Sequence, residues 1–219
     1  MDDKDISNAV IARLPRYYRY LGELKNDRIE RVSSRELSRL MHVTASQIRQ
    51  DFNNFGGFGQ QGYGYNVDYL YDEIGKILGL DHIHNMIIIG AGNLGQALVG
   101  YMNFKNRGFV FRGAFDISQN VIGKKIGSIE VLPLDDMPEF VRNNNIDIAV
   151  LTVPKTAAAG IAKELVECRI KAIWNFAHID LPVPDSIKVE NVHLSDSLMK
   201  LSYNLHRSED DTNTTGAAE

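Results

Sequence analysis

Apolar residues recur at Ile6, Val10, Leu14, Tyr17, Tyr18 and Leu21, close to a 3.6-residue period, and predict helix over residues 6–24. Pro15 removes a backbone donor and clashes with the preceding turn, so it either kinks this stretch or starts a second helix. Ser33-Ser34-Arg35-Glu36 reads as a capping box, a hydroxyl followed three residues later by Glu36. The helix it opens carries Leu37 and Leu40 and runs to about Met41. His42-Val43-Thr44 has the length of a turn, and Thr44 or Ser46 caps a following helix with Ile48 and Phe52 facing inward. Between Phe55 and Tyr65 there are five glycines in eleven residues, too many for a helix, and the alternating aromatics suggest a short hairpin. Two helices around a tight turn, then a hairpin, are the layout of a winged helix-turn-helix. Val67 to Leu80 reads as a helix again, with Leu70, Ile74 and Ile77 on one face, and is expected to link two domains.

From Asn85 the pattern changes to short apolar runs alternating with helical periods. Strands are expected at Met86–Ile89, Phe109–Phe115, Ile129–Leu132, Ile146–Val153 and Ala172–Phe176. Helices are expected at Gly95–Phe104, Asp135–Arg142, Thr156–Cys168 and Ser195–His206. Strands alternating with helices imply right-handed βαβ units and a parallel sheet, so the fold class is α/β. The organisation read from the chain is a winged-helix domain over 1–80, a Rossmann domain over 85–193, a C-terminal helix over 195–206 and a polar, disordered tail over 207–219.

Charge sharpens this division. The whole chain of 219 residues carries a net charge of −4, which does not suggest a nucleic-acid binder. The segment from Ile6 to Asn66 is nevertheless +4, and the remainder from Val67 is −6. A basic module on an acidic body can mark a DNA-contacting end. No apolar run is long enough to cross a bilayer, and the acidic N-terminus lacks the layout of a signal peptide, so a cytoplasmic protein without a membrane partner is expected. Cys168 is the only cysteine, which excludes an internal disulfide and reads as a packed apolar residue. The six histidines show no metal-ligand spacing; no metal is expected, and His82 and His84 read as solvated linker positions.

The chemistry concentrates at Gly90-Ala91-Gly92-Asn93-Leu94-Gly95, which directly follows a strand and opens a helix. In that context Gly90 permits the tight turn, Gly92 lets the backbone approach a pyrophosphate, and Gly95 lets helix and strand pack closely. Asp116 ends the next strand, 21 residues after Gly95, where a carboxylate accepts hydrogen bonds from adenosine ribose hydroxyls. It would repel a 2′-phosphate, and no arginine follows in Ile117-Ser118, so NAD(H) is favoured over NADP(H). Two other readings stay open: a small NAD-dependent oxidoreductase and a coenzyme A-binding Rossmann module. Against turnover, the Rossmann unit uses up residues 85–193, and Tyr203 has no lysine at helical spacing after it. No catalytic residue is assigned. In the basic module, the second helix of the helix-turn-helix would enter the major groove, presenting Thr44, Ser46, Gln47, Arg49 and Gln50. Arginine suits guanine, glutamine suits adenine, and hydroxyls suit phosphate.

The run Val43-Thr-Ala-Ser-Gln-Ile-Arg-Gln-Asp-Phe52, then Phe55-Gly-Gly-Phe-Gly-Gln-Gln-Gly-Tyr-Gly-Tyr-Asn-Val67, then Ile87-Ile-Ile-Gly-Ala-Gly-Asn-Leu-Gly95 resembles the Rex family of redox-sensing transcriptional repressors. Ala12-Arg-Leu-Pro-Arg-Tyr-Tyr18 is similar to that family too, and the resemblance covers residues 6–206. It implies a homodimer on a palindromic operator that NADH closes and releases, with NAD⁺ competing for the same site. It implies that the C-terminal helix swaps onto the partner subunit, that Tyr101 lies near the nicotinamide, and that Arg16 and Asp196 bridge subunits in one state. Gln60 and Tyr63 would extend the DNA contact into the wing. Many members carry basic residues at the wing tip; Gln60-Gln61 here implies a weaker or shifted minor-groove contact.

Overall fold

The structure is a computed structural model that describes residues 6–56, 58 and 63–215, with side chains as far as Arg207. The chain divides between His82 and Ile83 into two compact units.

The first unit opens with a single turn, α1 (Asn8–Ile11), followed by α2 (Leu14–Asn26) with Pro15 in its first turn. Pro15 therefore starts a helix: its missing N–H is one of the donors that no helix can satisfy there. A two-residue strand β1 (Arg31–Val32) precedes α3 (Ser34–Met41). The capping box forms as expected: the Glu36 N–H donates to Ser33 Oγ at 3.1 Å, and the Ser33 N–H donates to Glu36 Oε2 at 2.7 Å. His42, in the left-handed region at φ 53°, ends α3 and turns the chain into α4 (Ala45–Asn53). Thr44 caps α4, accepting from the Gln47 N–H at 3.1 Å.

The hairpin expected within Phe55–Tyr65 lies largely outside the described residues, and a pairing not expected from the sequence is found beside it. Strand β2 (Tyr65–Asn66) pairs antiparallel with β1, Val32 opposite Tyr65 and Arg31 opposite Asn66. Two-residue strands carry too little alternation to be seen in sequence. Gly64, at φ +71°, makes the approach possible, since a Cβ there would sit 2.8 Å from the Val32 carbonyl oxygen. Gln60 and Gln61 lie outside the described residues. Helix α5 (Val67–Ile77), expected to link the two domains, packs within the first unit. Val67, Leu70 and Ile74 are buried in one core with Leu14, Tyr17 and Leu21 of α2, Leu37 of α3, and Ile48 and Phe52 of α4. Ile77, expected on the same face, is exposed.

The second unit is a seven-stranded sheet. Its strands are β3 (His84–Ile89), β4 (Phe109–Asp116), β5 (Lys125–Ile126), β6 (Ile129–Pro133), β7 (Ile148–Leu151), β8 (Ala172–Asn175) and β9 (Lys188–Asn191). They lie in the order β5-β6-β4-β3-β7-β8-β9, parallel except for β5. Without β5 this is the 3-2-1-4-5-6 order of the dinucleotide fold. His84 belongs to β3 and stacks on Phe109 at 5.2 Å, which corrects its reading as a solvated linker residue. Strands β5 and β9 were not legible: the first is a two-residue edge, the second an edge rich in polar residues.

Helices α6 (Asn93–Val99), α7 (Met137–Asn143) and α8 (Lys155–Glu167) connect the strands, with 3₁₀ turns at Lys105–Arg107 and Leu134–Asp136. Helix α6 is shorter than expected because Gly100 closes it. Met137, Val141, Ile161 and Leu165, from α7 and α8, share a core with Ile87, Ile89, Leu151 and Ile173 of the sheet. Cys168 joins that core, and burial pushes its thiol up. The last helix, α9 (Leu194–Thr215), runs well past the expected end at His206, so the tail expected to be disordered is helical as far as Thr215, and residues 216–219 lie outside the described residues. No glycine or proline interrupts residues 194–215, so nothing local stops it. Among the described residues no helix is long and apolar enough to cross a membrane.

Candidate functional site

The glycine loop lies at the carboxyl end of β3, where the sheet order reverses between β3 and β7. Crevices at this switch point are where open α/β sheets bind ligands. The three glycines meet different demands. Gly90 sits at φ +99°, and a Cβ there would lie 2.5 Å from the Thr152 carbonyl oxygen at the end of β7. Gly95 packs on the Gly90 carbonyl, leaving no room for a side chain. A Cβ on Gly92 would meet nothing within 4 Å, so Gly92 faces open space. Thr152 Oγ1 donates to the Gly90 carbonyl at 2.7 Å and locks the loop to β7.

Asp116, half-buried, closes the other side. Its Oδ2 accepts from the Ala91 N–H at 2.6 Å and its Oδ1 accepts from the Ser118 N–H at 2.8 Å. These bonds fix the carboxylate beside the loop and leave further lone pairs for donors such as ribose hydroxyls. Gly90, Gly92, Asp116, Ile117, Leu134 and Thr152 are among the residues around a cleft of about 230 Å³. Its apolar walls suit a flat purine, and its floor presents backbone and a carboxylate. Asn93 and Leu94 open α6, whose first-turn N–H groups have no intrahelical acceptor and can face an anion.

Tyr101 is not part of this cleft. It follows the far end of α6, about 12 Å from Asn93 by helical rise. There it packs edge-on against Phe104 at 4.9 Å, and Phe104 against Trp174 at 5.6 Å. Phe104 and Trp174, with Met86, Phe109, Ile148 and Val189, border a larger apolar hollow of about 370 Å³. That hollow shares no residue with the glycine cleft.

In the first unit, Thr44, Ser46, Arg49 and Gln50 are all exposed at the start or along the outer side of α4. Arg49 Nη1 donates to Ser34 Oγ at 3.1 Å. Tyr63 is exposed, and its carbonyl accepts from Arg31 Nη1 at 3.1 Å. Gln47 is half-buried at the edge of the outer face, with its amide turned toward Asp51. Asn53, exposed one turn beyond Gln50 and two beyond Ser46, shares the outer face. The i+3 and i+7 spacing was the signal for it.

The largest feature missed in sequence is the group around Asp51, which is fully buried. Its Oδ2 accepts from Arg13 Nε and the Tyr17 hydroxyl, each at 2.7 Å. Its Oδ1 accepts from Arg13 Nη2 at 2.7 Å and Gln47 Nε2 at 2.8 Å. Burial pushes the carboxyl up, but the bonds from Arg13, Gln47 and Tyr17 and the arginine charge outweigh it and hold Asp51 below the ordinary aspartate value. Burial, then the bond to Asp51, raises the Tyr17 hydroxyl. An acid on the inward side of α4, between Ile48 and Phe52, was itself a signal that a buried cation had to exist.

A helix-turn-helix unit and a dinucleotide-fold unit on one chain define a nucleotide-responsive DNA-binding regulator. Residues 5–53 match the family model of the putative DNA-binding protein N-terminus, and residues 81–179 that of the CoA binding domain. The chain is 58% identical over 204 residues to the redox-sensing transcriptional repressor Rex of Caldanaerobacter subterraneus subsp. tengcongensis, covering 93% of this chain and 91% of that one. It is 55% identical to that of Clostridioides difficile, covering 93% and 97%. Among solved structures it is similar to RSP, a Rex-family repressor, with a TM-score of 0.89, 52% identity, and 97% and 100% of the chains covered. It is also similar to RSP in complex with beta-NAD+ and operator DNA, with a TM-score of 0.88, 54% identity, and 99% and 100% covered. A further match is RSP with beta-NADH, with a TM-score of 0.89, 53% identity, and 96% and 99% covered. This chain belongs to the Rex family of redox-sensing transcriptional repressors.

Proposed function

We propose that the chain represses transcription as a homodimer on a palindromic operator and is released when NADH fills the glycine cleft. The observation that carries this reading is the pairing of a helix-turn-helix with an NAD-type cleft, in a chain over half identical to RSP across both units. RSP was solved with beta-NADH, and with beta-NAD+ and operator DNA. In this reading residues 1–80 bind DNA, through Thr44, Ser46, Gln47, Arg49 and Gln50 with Gln60 and Tyr63 in the wing. Residues 85–193 bind the dinucleotide, with Gly90–Gly95 at the pyrophosphate, Asp116 at the adenosine ribose and Tyr101 toward the nicotinamide. The cleft chemistry also favours NAD(H) over coenzyme A, whose ribose 3′-phosphate would meet the Asp116 carboxylate. The protein acts in the cytoplasm, and it binds the dinucleotide without turning it over.

The dimer forms through the C-terminal helix, over 195–206. Leu194, Leu198 and Leu201 are exposed at i, i+4 and i+7 on α9, an apolar stripe that one copy would dock on another. Arg16 and Asp196 bridge the subunits in one of the two states. Ligand and DNA then act through linkage: NADH can shift the dimer only by binding one state better, and the operator must weaken NADH by the same factor.

Fluorescence anisotropy on a palindromic duplex, titrated separately with NADH, NAD⁺ and coenzyme A, tests the reading. NADH is expected to release the protein at far lower concentration than NAD⁺, with coenzyme A inert. Release by coenzyme A alone, or specific binding that no nucleotide disturbs, would overturn it. Asp116→Ala is expected to weaken NADH by roughly ten-fold or more, through lost hydrogen bonds to a charged group. Operator affinity without nucleotide stays within two-fold in the same assay. Loss of operator binding in a folded dimer would contradict this division of labour.

A further inference from the structure

Three of the four bonds to the Asp51 carboxylate tie α4 to Arg13 and Tyr17, yet the fourth goes to a side chain on the DNA-reading helix itself. Gln47 lies one helical turn before Asp51, and its Nε2 donates to Asp51 Oδ1 at 2.8 Å. An ionised carboxylate only accepts hydrogen bonds. Asp51 therefore dictates which way round the Gln47 amide sits: nitrogen inward, oxygen outward. The geometry is held from behind. Arg13, the residue just before α2, grips both carboxylate oxygens at 2.7 Å, and the hydroxyl of Tyr17, in the first turn of α2, donates to Oδ2. All four acceptor positions of Asp51 are filled, so it has nothing left to offer DNA. Gln47 keeps its oxygen and one N–H free of this bond.

We propose that Asp51 is a positioning residue that sets the base preference of the repressor by orienting Gln47. This rests on the reading above that α4 enters the major groove. With its oxygen and one N–H turned outward, Gln47 presents an acceptor beside a donor. That pair matches adenine, which offers the N6 amino group and N7. Reversed, the same amide would present two N–H groups, matching the N7 and O6 acceptors of guanine. Asp51→Asn should bring about that reversal. The asparagine oxygen stays with Arg13 Nε and the buried Tyr17 hydroxyl, and its amide nitrogen takes the place of Oδ1, facing both Arg13 Nη2 and Gln47 Nε2. Arg13 is 26% exposed and turns its Nη2 to water. Two donors cannot pair, so Gln47 turns its oxygen inward.

The test is selection from a randomised duplex pool by full-length wild-type protein, Asp51→Asn, Gln47→Leu, the double variant and Ile74→Ala. Competition on the selected duplexes follows at fixed salt. Ile74→Ala is a control: Ile74 is buried in α5 and touches neither Asp51 nor Gln47 in any hydrogen bond, so it lowers stability without turning the amide. Gln47→Leu is expected to lose preference at one base pair in each half-site. Asp51→Asn is expected to move preference at that same pair from adenine toward guanine by roughly ten-fold or more, the scale of one bidentate contact. The double variant should match Gln47→Leu, and Ile74→Ala should keep the wild-type preference. An unchanged preference in folded Asp51→Asn, or a loss spread over all positions, overturns the proposal.

Should Asp51→Asn fail to fold, wild-type protein decides by NMR. The Gln47 side-chain amide, assigned by its disappearance in Gln47→Leu, is expected to show one proton protected from exchange with water. Exchange as fast as that of surface glutamines overturns the proposal. A wild-type protein that selects no sequence overturns the repressor reading and this inference together. A wild-type protein that selects a sequence to which Gln47→Leu is indifferent overturns this inference alone.

Discussion

Asp51→Ala is expected to destabilise the helix-turn-helix unit by about 3–5 kcal/mol, the range for breaking a buried ion pair by removing one partner. The reason is asymmetric. The substitution deletes one acceptor but strands three sets of donors, on Arg13, Tyr17 and Gln47, of which Tyr17 is fully buried. Arg13 is 26% exposed and can turn partly to water, so the loss belongs at the lower end of that range. A loss of this size rivals the whole stability of a small unit. Chemical denaturation followed by far-UV circular dichroism should show an early transition for the first unit while the Rossmann unit keeps its midpoint. A single unshifted transition would mean that Arg13 and Tyr17 find new partners.

The same carboxylate predicts a pH dependence. The folded state holds Asp51 below its ordinary value of 3.8, so its contribution is complete above that value. It is lost as pH falls through the lower folded value, because the carboxyl must then be protonated in both states. Acid should therefore remove the stability gap between wild type and Asp51→Ala, while neutral pH preserves it.

How much of this was legible depended on whether a feature was local. The capping box at Ser33 and Glu36, the Thr44 cap and the loop from Gly90 to Gly95 lie within six residues each, and all three formed as the sequence reads. Asp116 was placed by its distance from Gly95, and the strand ending there lies beside β3 because a right-handed crossover brings it there. What escaped was non-local. Arg13 and Asp51 stand 38 positions apart, and nothing in either neighbourhood names the other. The β1–β2 pair joins segments from either side of the helix-turn-helix, and nothing in Arg31-Val32 names Tyr65-Asn66 as its partner. Helix α5 was read as a linker because its apolar face says only that it packs, not on what. The end of α9 was misjudged for the opposite reason: polar composition suggested disorder, although Leu194 to Thr215 contains no residue that breaks a helix.

Gly92→Ala should separate nucleotide sensing from DNA binding, and its effect should be the larger of the two for regulation. The same methyl group has different consequences at the three glycines of the loop. At Gly90 it would collide with the Thr152 carbonyl and at Gly95 with the Gly90 carbonyl, so alanine there displaces backbone and endangers the fold. At Gly92 no protein atom lies within 4 Å of the new Cβ, and φ is an ordinary −71°. Alanine is therefore tolerated in the empty protein, and the space it takes is the space a pyrophosphate needs to reach the loop. Pushed outward, the phosphate oxygens lose short bonds from the backbone N–H groups. Two such charge-assisted bonds correspond to roughly hundred-fold or more in affinity. The expected phenotype is a folded dimer that binds the operator like wild type and stays on it at NADH concentrations that release the wild-type protein. Calorimetry with NADH and anisotropy with the operator would read the two halves separately. Wild-type NADH affinity in Gly92→Ala would place the pyrophosphate elsewhere than the α6 N-terminus. Weakened operator binding without nucleotide would mean that the loop also takes part in holding the DNA-binding state.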